Sequence, residues 1–182
     1  GTSSTQDNMF IRFSDQEDRT DYVPVSTNTA GTFQLDSGSK IVSAARGKDY
    51  IFVVTDTSAY IMQFVGPPFT FSIRQVGSNC GAMSQHSLVH VDGIMYWMGK
   101  SGGFYAYDGG SVKKLTCSVE DFVFTTQTSD DLGLNFGQSE QVFAGYNTLF
   151  TEINWFYCKD GSTQIDRCVT LNYREGLWTT SS

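Results

Sequence analysis

The sequence predicts an all-β protein built of consecutive antiparallel meanders, and three observations carry that expectation. Aromatic residues make up 14% of the 182 positions and charged residues only 17%, a balance that favours a packed core over disorder. Phe, Tyr, Trp, Val and Thr side chains fit the pleated, half-buried surface of a sheet. Short apolar runs are separated throughout by Gly, Asp or Asn, the residues that turn a hairpin.

Taken in order, residues 1–8, GTSSTQDN, are polar and are expected to form a loop or frayed end. MFIRFSD supplies a first short strand, after which SDQEDRTD turns acidic. Turn signals at Asp36 to Ser39 and at Gly47 to Asp49 divide the next stretch into strands at about 41–45, 50–55 and 58–65, a first meander. GPPF, at 66–69, is expected to break it, because proline fixes φ and lacks an amide donor. A second meander runs through SLVHVDGIMYWMGKSGGFYAYDGGSVKKL, turning at Asp92-Gly93, at GKSGG and at DGG.

SVEDFVF, at 118–124, reads as a short helix. Ser118 is a suitable cap, and Glu120 and Asp121 fall in the first turn, where the helix dipole favours acids. TTQTSDDLGLNFGQSE is read as a loop, and the remainder as three strands turning at KDGST and NYREG. The most apolar strands centre on Phe13, Val53, Trp97 and Trp155, a recurrence of roughly 40 to 60 residues that is the mark of β-propeller blades. Residues 9–182 are therefore expected to form about four blade-like units of a propeller, an incomplete segment of a larger ring. In GIMYWMG, Ile94, Tyr96 and Met98 point to one side and Met95 and Trp97 to the other. Both faces are apolar, as a strand sandwiched between neighbouring sheets requires.

The residues that could carry chemistry form no recognisable constellation. His86 and His90 are the only histidines and have no third metal ligand at a suitable spacing. No glycine-rich loop opens a helix to cradle phosphate. Asp15, Glu17, Asp18 and Asp21 lie close together, but the D-x-D-x-D-G spacing of a calcium loop is missing, and a solvated connection is the preferred reading. Cys80, Cys117, Cys158 and Cys168 form no C-x-x-C pair. A disulfide between Cys158 and Cys168, which flank an expected hairpin, is weighed against four buried free thiols, and the thiols are preferred. No catalytic, cofactor-binding or metal-ligating residue is assigned, and the chain is not expected to be an enzyme.

The segments IRFSDQEDRTDYVPVSTNTAG, SGSKIV, VGPPFTF, YWMGK, FYAYDGG, LTCSVEDFVF and INWFY, in this order, resemble tail proteins of tailed bacteriophages, in particular the β-propeller-bearing tail nozzle and tail tubular proteins of short-tailed phages. The resemblance runs from about Met9 to Trp178; it departs at Tyr22 and Phe13, where the family often carries tryptophan. It implies a virion protein assembled in the host bacterial cytoplasm, an internal segment of a longer chain, and identical copies in a ring around the genome-exit channel beside neighbouring tail proteins. It brings no catalytic residues. A competing expectation is a propeller binding module for a host receptor or glycan, with Phe104 and Tyr105 of SGGFYAY stacking on a sugar ring. A third, a propeller glycan hydrolase, would need a matched pair of carboxylates in a central cleft.

No apolar run approaches the roughly 18 residues of a membrane span. The net charge of −7, with twelve scattered basic residues, opposes the counterion-releasing grip that duplex binders use. Asp130 and Asp131 add a second acidic loop to the one at Asp15 to Asp21. The expected outcome of a mobility-shift titration at near-physiological salt is no duplex binding, even at the ~10⁻⁴ to 10⁻⁶ M typical of non-specific binders.

Overall fold

The computed structural model describes residues 7–128 and 133–182. Strand β1 (Phe10–Phe13) pairs antiparallel with β2 (Gly31–Gln34). Three four-stranded antiparallel sheets follow, each a meander in chain order. The first holds β3 (Ile41–Arg46), β4 (Tyr50–Thr55), β5 (Ser58–Gly66) and β6 (Thr70–Ser78). The second holds β7 (Leu88–Val91), β8 (Ile94–Met98), β9 (Phe104–Tyr107) and β10 (Val112–Leu115). The third holds β11 (Phe143–Asn147), β12 (Glu152–Tyr157), β13 (Arg167–Asn172) and β14 (Leu177–Ser181). Helix α1 (Glu120–Phe124) and a 3₁₀ turn (Phe136–Gln141) lie between the second and third sheets in the chain.

Alternation decides which sheet packs on which. On β8, Met95 and Trp97 face the first sheet and join Phe52, Val54, Ala59, Ile61 and Tyr107 in one core. Tyr96 and Met98, on the opposite face, join Phe104, Ile153, Trp155, Val169, Leu171 and Trp178 in a second. The middle sheet is thus covered on both faces, as the two-sided apolar pattern of GIMYWMG demands. A smaller core of Met9, Leu35, Val53 and Tyr60 lays the β1–β2 pair on the far face of the first sheet. On the third sheet Ile153, Trp155 and Tyr157 are buried on one face; on the other, Asn154 accepts a 2.6 Å hydrogen bond from Thr170 beside an exposed Thr179, and Phe143 stacks on Phe156 (4.7 Å).

The first strands of the sheets come together, β7 lying alongside both β3 and β11. The connection from β6 to β7 ties them. The Ser43 hydroxyl donates to the Gln85 carbonyl (2.7 Å), the Ala144 amide to the His86 carbonyl (2.8 Å), and the Ser84 hydroxyl to the Val142 carbonyl. All three tryptophans fix the stack by the same device. The indole N–H of Trp97 donates to the Cys80 carbonyl (2.7 Å), that of Trp155 to Ser87 (3.0 Å) and that of Trp178 to Thr116 (3.0 Å), so each ring fills apolar space without stranding its one polar hydrogen.

The structure corrects the sequence expectations at several points. GPPF does not end the first meander; it is the β5–β6 turn, and β6 adds a fourth strand. The proline rings sit where no ladder donor is required. The last sheet has four strands rather than three, because Asn147–Thr151 turns the chain: the Asn147 side chain accepts from the Leu149 amide (3.0 Å) and Thr151 takes φ of 58°. Ser118 does not cap α1. The helix begins one residue later, at an N-cap Val119 that makes no side-chain bond, and Glu120 is instead held by Lys114 at 2.6 Å. Part of the expected loop at 125–140 is the 3₁₀ turn, capped by Asn135 through the Gly137 amide (3.0 Å). Asp130 and Asp131, like residues 1–6, lie outside the described residues.

The Asp92-Gly93 turn behaves as expected, both residues taking positive φ (50° and 84°), the twist that a two-residue hairpin needs.

Trp97 is fully buried, stacked on Tyr105 (5.7 Å between centroids) and tilted on Phe52 (5.3 Å). Trp97→Ala should therefore cost about 3–5 kcal/mol in denaturant unfolding. A loss below about 1 kcal/mol would contradict its place in the inter-sheet core.

Candidate functional site

The aromatic segment SGGFYAY is the first place to look for a binding surface, and its side chains are spent on packing. Phe104 is fully buried, its ring 4.6 Å from Trp178, 4.9 Å from Trp155 and 5.5 Å from Phe124. Tyr105 is half-buried on Trp97, and its hydroxyl donates to the Asn79 carbonyl at 3.1 Å. Neither forms a free face for a sugar ring.

The histidines are separated by role. His86 is exposed and contributes its backbone carbonyl to the inter-sheet tie, whereas His90 is half-buried on β7 opposite Met95. Buried Nε2 of His90 makes no hydrogen bond among the described residues, nor do the Tyr157 hydroxyl and Arg167 Nε, on residues paired across β12 and β13. No three His, Cys, Asp or Glu side chains gather into a metal-binding group among the described residues.

The acidic loop folds itself. Asp15 accepts from the amide and hydroxyl of Thr29 (2.8 and 2.5 Å), and those bonds hold its carboxyl below the ordinary range. Asp18 accepts likewise from the hydroxyl and amide of Thr20 (2.6 and 2.8 Å), with the same effect. Asp21 accepts from the Val23 amide (3.0 Å) and the Asn28 side chain (2.8 Å). Three carboxylates of the cluster thus serve as loop braces.

Asp56, in the β4–β5 turn, is the most perturbed acid. Its partial burial opposes ionisation, but the hydroxyl and amide of Ser39 donate to it at 2.6 and 2.8 Å, and the Lys40 amide and the Lys100 ammonium (3.7 Å) add to them, leaving the carboxyl at about 2. Gly81 packs so closely on this turn that an added Cβ would lie 2.1 Å from the Asp56 carbonyl. The cluster is a staple joining the start of the first sheet to the following connection.

All four cysteines are free thiols. Burial pushes the thiols of Cys80 and Cys117 up to about 11, and Cys158 and Cys168 are raised by the same cause.

A shallow groove of about 470 Å³ lies on the far face of the first sheet. Ile51, Met62, Phe64 and Phe71 floor it, and Arg46, Lys48 and Asp49 stand at its rim. Ile51 is 40% exposed and Phe64 59%. Sequence reasoning did not single out these residues, although the alternation Phe64, Phe71, Ile73 about polar neighbours is visible once the two strands are placed side by side. No known protein family model matches the chain, and neither does any curated protein.

Asp56→Asn should lower stability at neutral pH. A carboxyl held low in the folded state contributes fully above its unfolded value of about 4 and loses that contribution as pH falls towards 2. The gap between variant and parent should therefore close over that window in pH-dependent thermal unfolding. Iodoacetamide should label Cys80 and Cys117 far more slowly in the folded chain than after unfolding, because the thiolate is the reactive form.

Proposed function

We propose that the chain is a structural segment of a β-propeller in the tail of a tailed bacteriophage, in the nozzle or tube region around the genome-exit channel. The three four-stranded sheets are then consecutive blades, and the β1–β2 pair belongs to a further one. One observation carries this reading: three meanders of equal strand number, stacked face to face in chain order with their first strands adjacent. A radial repeat of four-stranded blades would bring neighbouring sheets together in this way. The ordered phage-tail motifs of the sequence support the location.

The side chains favour a structural role over a receptor-binding one. Phe104 and Tyr105, the residues on which glycan stacking would depend, hold the sheets together. The partners under this reading are further copies of the chain in a ring and adjoining tail proteins. The acidic surface suits a wall that lets a duplex pass without gripping it.

Imaging of purified virions labelled on this polypeptide should place it at symmetry-related positions around the tail axis. A label elsewhere on the particle, or absent from it, would refute the assignment. Light scattering of the full-length protein should report a homo-oligomer; a monomer at all concentrations would argue against the ring.

A further inference from the structure

We infer that the loop at 14–30 of one copy of this chain seats in the groove on the first sheet of a second copy. The loop joins β1 to β2, and its make-up is the reverse of a solvated connection. Asp15, Asp21, Asn28 and Thr29 serve as internal braces. Besides the bonds already described, the Gln16 amide donates to the Thr29 hydroxyl (2.8 Å), the Val25 amide to the Asn28 side chain (3.1 Å), and the Asn28 side chain to the Val23 carbonyl (2.9 Å). The apolar side chains stand in solvent instead, Tyr22 46%, Val23 67% and Val25 53% exposed. A braced loop presents them already ordered, so a partner meets them without the entropic cost of fixing the chain.

The groove complements this loop in apolar surface and in charge. Its floor exposes Ile51 and Phe64, and at its rim Arg46 and Lys48 are exposed and form no ion pair among the described residues. The loop sets Asp15, Glu17, Asp18 and Asp21 against Arg19 alone, and its exposed Glu17 likewise forms no ion pair among the described residues. Tyr22, Val23 and Val25 then cover the floor, while Glu17 and Asp18 meet Arg46 and Lys48 at the rim. The turn at 147–151, which exposes Leu149 and Phe150, carries no acid to match that rim. No residue of the loop lines the groove of its own chain, yet the two adjoin. The loop leaves and returns at the paired residues Phe13 and Gly31, and the Phe13 ring lies 4.9 Å from Phe71 in the groove wall. Two copies related by a two-fold axis therefore exchange loops, each giving one and taking one, and the pair closes on itself.

This exchange depends neither on ring assembly nor on residence in a virion: an oligomer indifferent to the substitutions below would leave the ring standing and overturn the exchange. Sedimentation velocity of the full chain should show a monomer–dimer equilibrium. Glu17→Lys should weaken it at least about fivefold, and so should Arg46→Glu combined with Lys48→Glu, because each sets like charges together at the rim. An equimolar mixture of these two variants should recover the parental affinity, since in a mixed pair both rims again bring opposite charges together. Val23→Ser should weaken association at least about fivefold by removing an apolar contact from the centre of the seat. The melting temperature of the dilute chain should stay within about 2 °C of the parent in every variant, exposed positions being near-neutral. A monomer at all concentrations would overturn the proposal. So would two charge variants that fail to recover on mixing.

Discussion

Three indole N–H groups hold the architecture in register. An indole is large enough to span the space between two sheets, but burying it is favourable only if its N–H finds an acceptor. Here each acceptor is a backbone carbonyl in, or at the edge of, a segment that connects sheets: Cys80 and Ser87 in the link between the first and second sheets, Thr116 where the chain leaves the second. The hydrogen bond therefore positions a connection, and the connection fixes where the next meander begins. Phe52 with Trp97, and Phe104 with Trp155 and Trp178, fill the remaining inter-sheet volume with rings 4.6–5.3 Å apart. Short polar ties from Ser43 and Ser84 close β3 and the segment leading into β11 onto the same link.

This division of labour explains why the polar residues yield so little chemistry. Asp15, Asp18 and Asp56 are each committed to brace a loop or turn. The buried thiols stay protonated, and the histidines lie apart in role. With these acids and the inter-sheet aromatics engaged in holding the scaffold together, its exposed apolar surface, such as Phe64 and Ile51 in the groove, is where something else can attach.

Much of this fold was legible in the sequence. The strands at 41–46, 50–55 and 58–66 fall where alternation and turn residues put them, and GIMYWMG announced a sheet covered on both sides. The strand misses come from turns whose geometry the residue types did not announce. The turn at Asn147–Thr151 reverses the chain with a threonine at positive φ and an asparagine brace, inside what reads as one long apolar run. Prolines 67 and 68 looked like a terminator because a donor is lost there, yet a hairpin apex has no donor to lose. Ser118 misled by one position, since capping depends on a backbone angle that residue type alone does not set. The groove was invisible for a different reason. It is lined by residues of all four strands of the first sheet, which come together only through pairing and lie in no one short stretch.

A stack in which each sheet touches only its neighbours behaves as a one-dimensional array, whose stability is the sum of each unit and its two interfaces. The second sheet has an interface on both faces, whereas the third sheet and the β1–β2 pair have one each. Opening should accordingly propagate inwards from the ends, with the two-stranded pair fraying first and the amides around Met95 to Met98 exchanging last. The molecule is in that sense graded: the two-stranded pair is its most labile part, and the sheet that carries Trp97 its most durable.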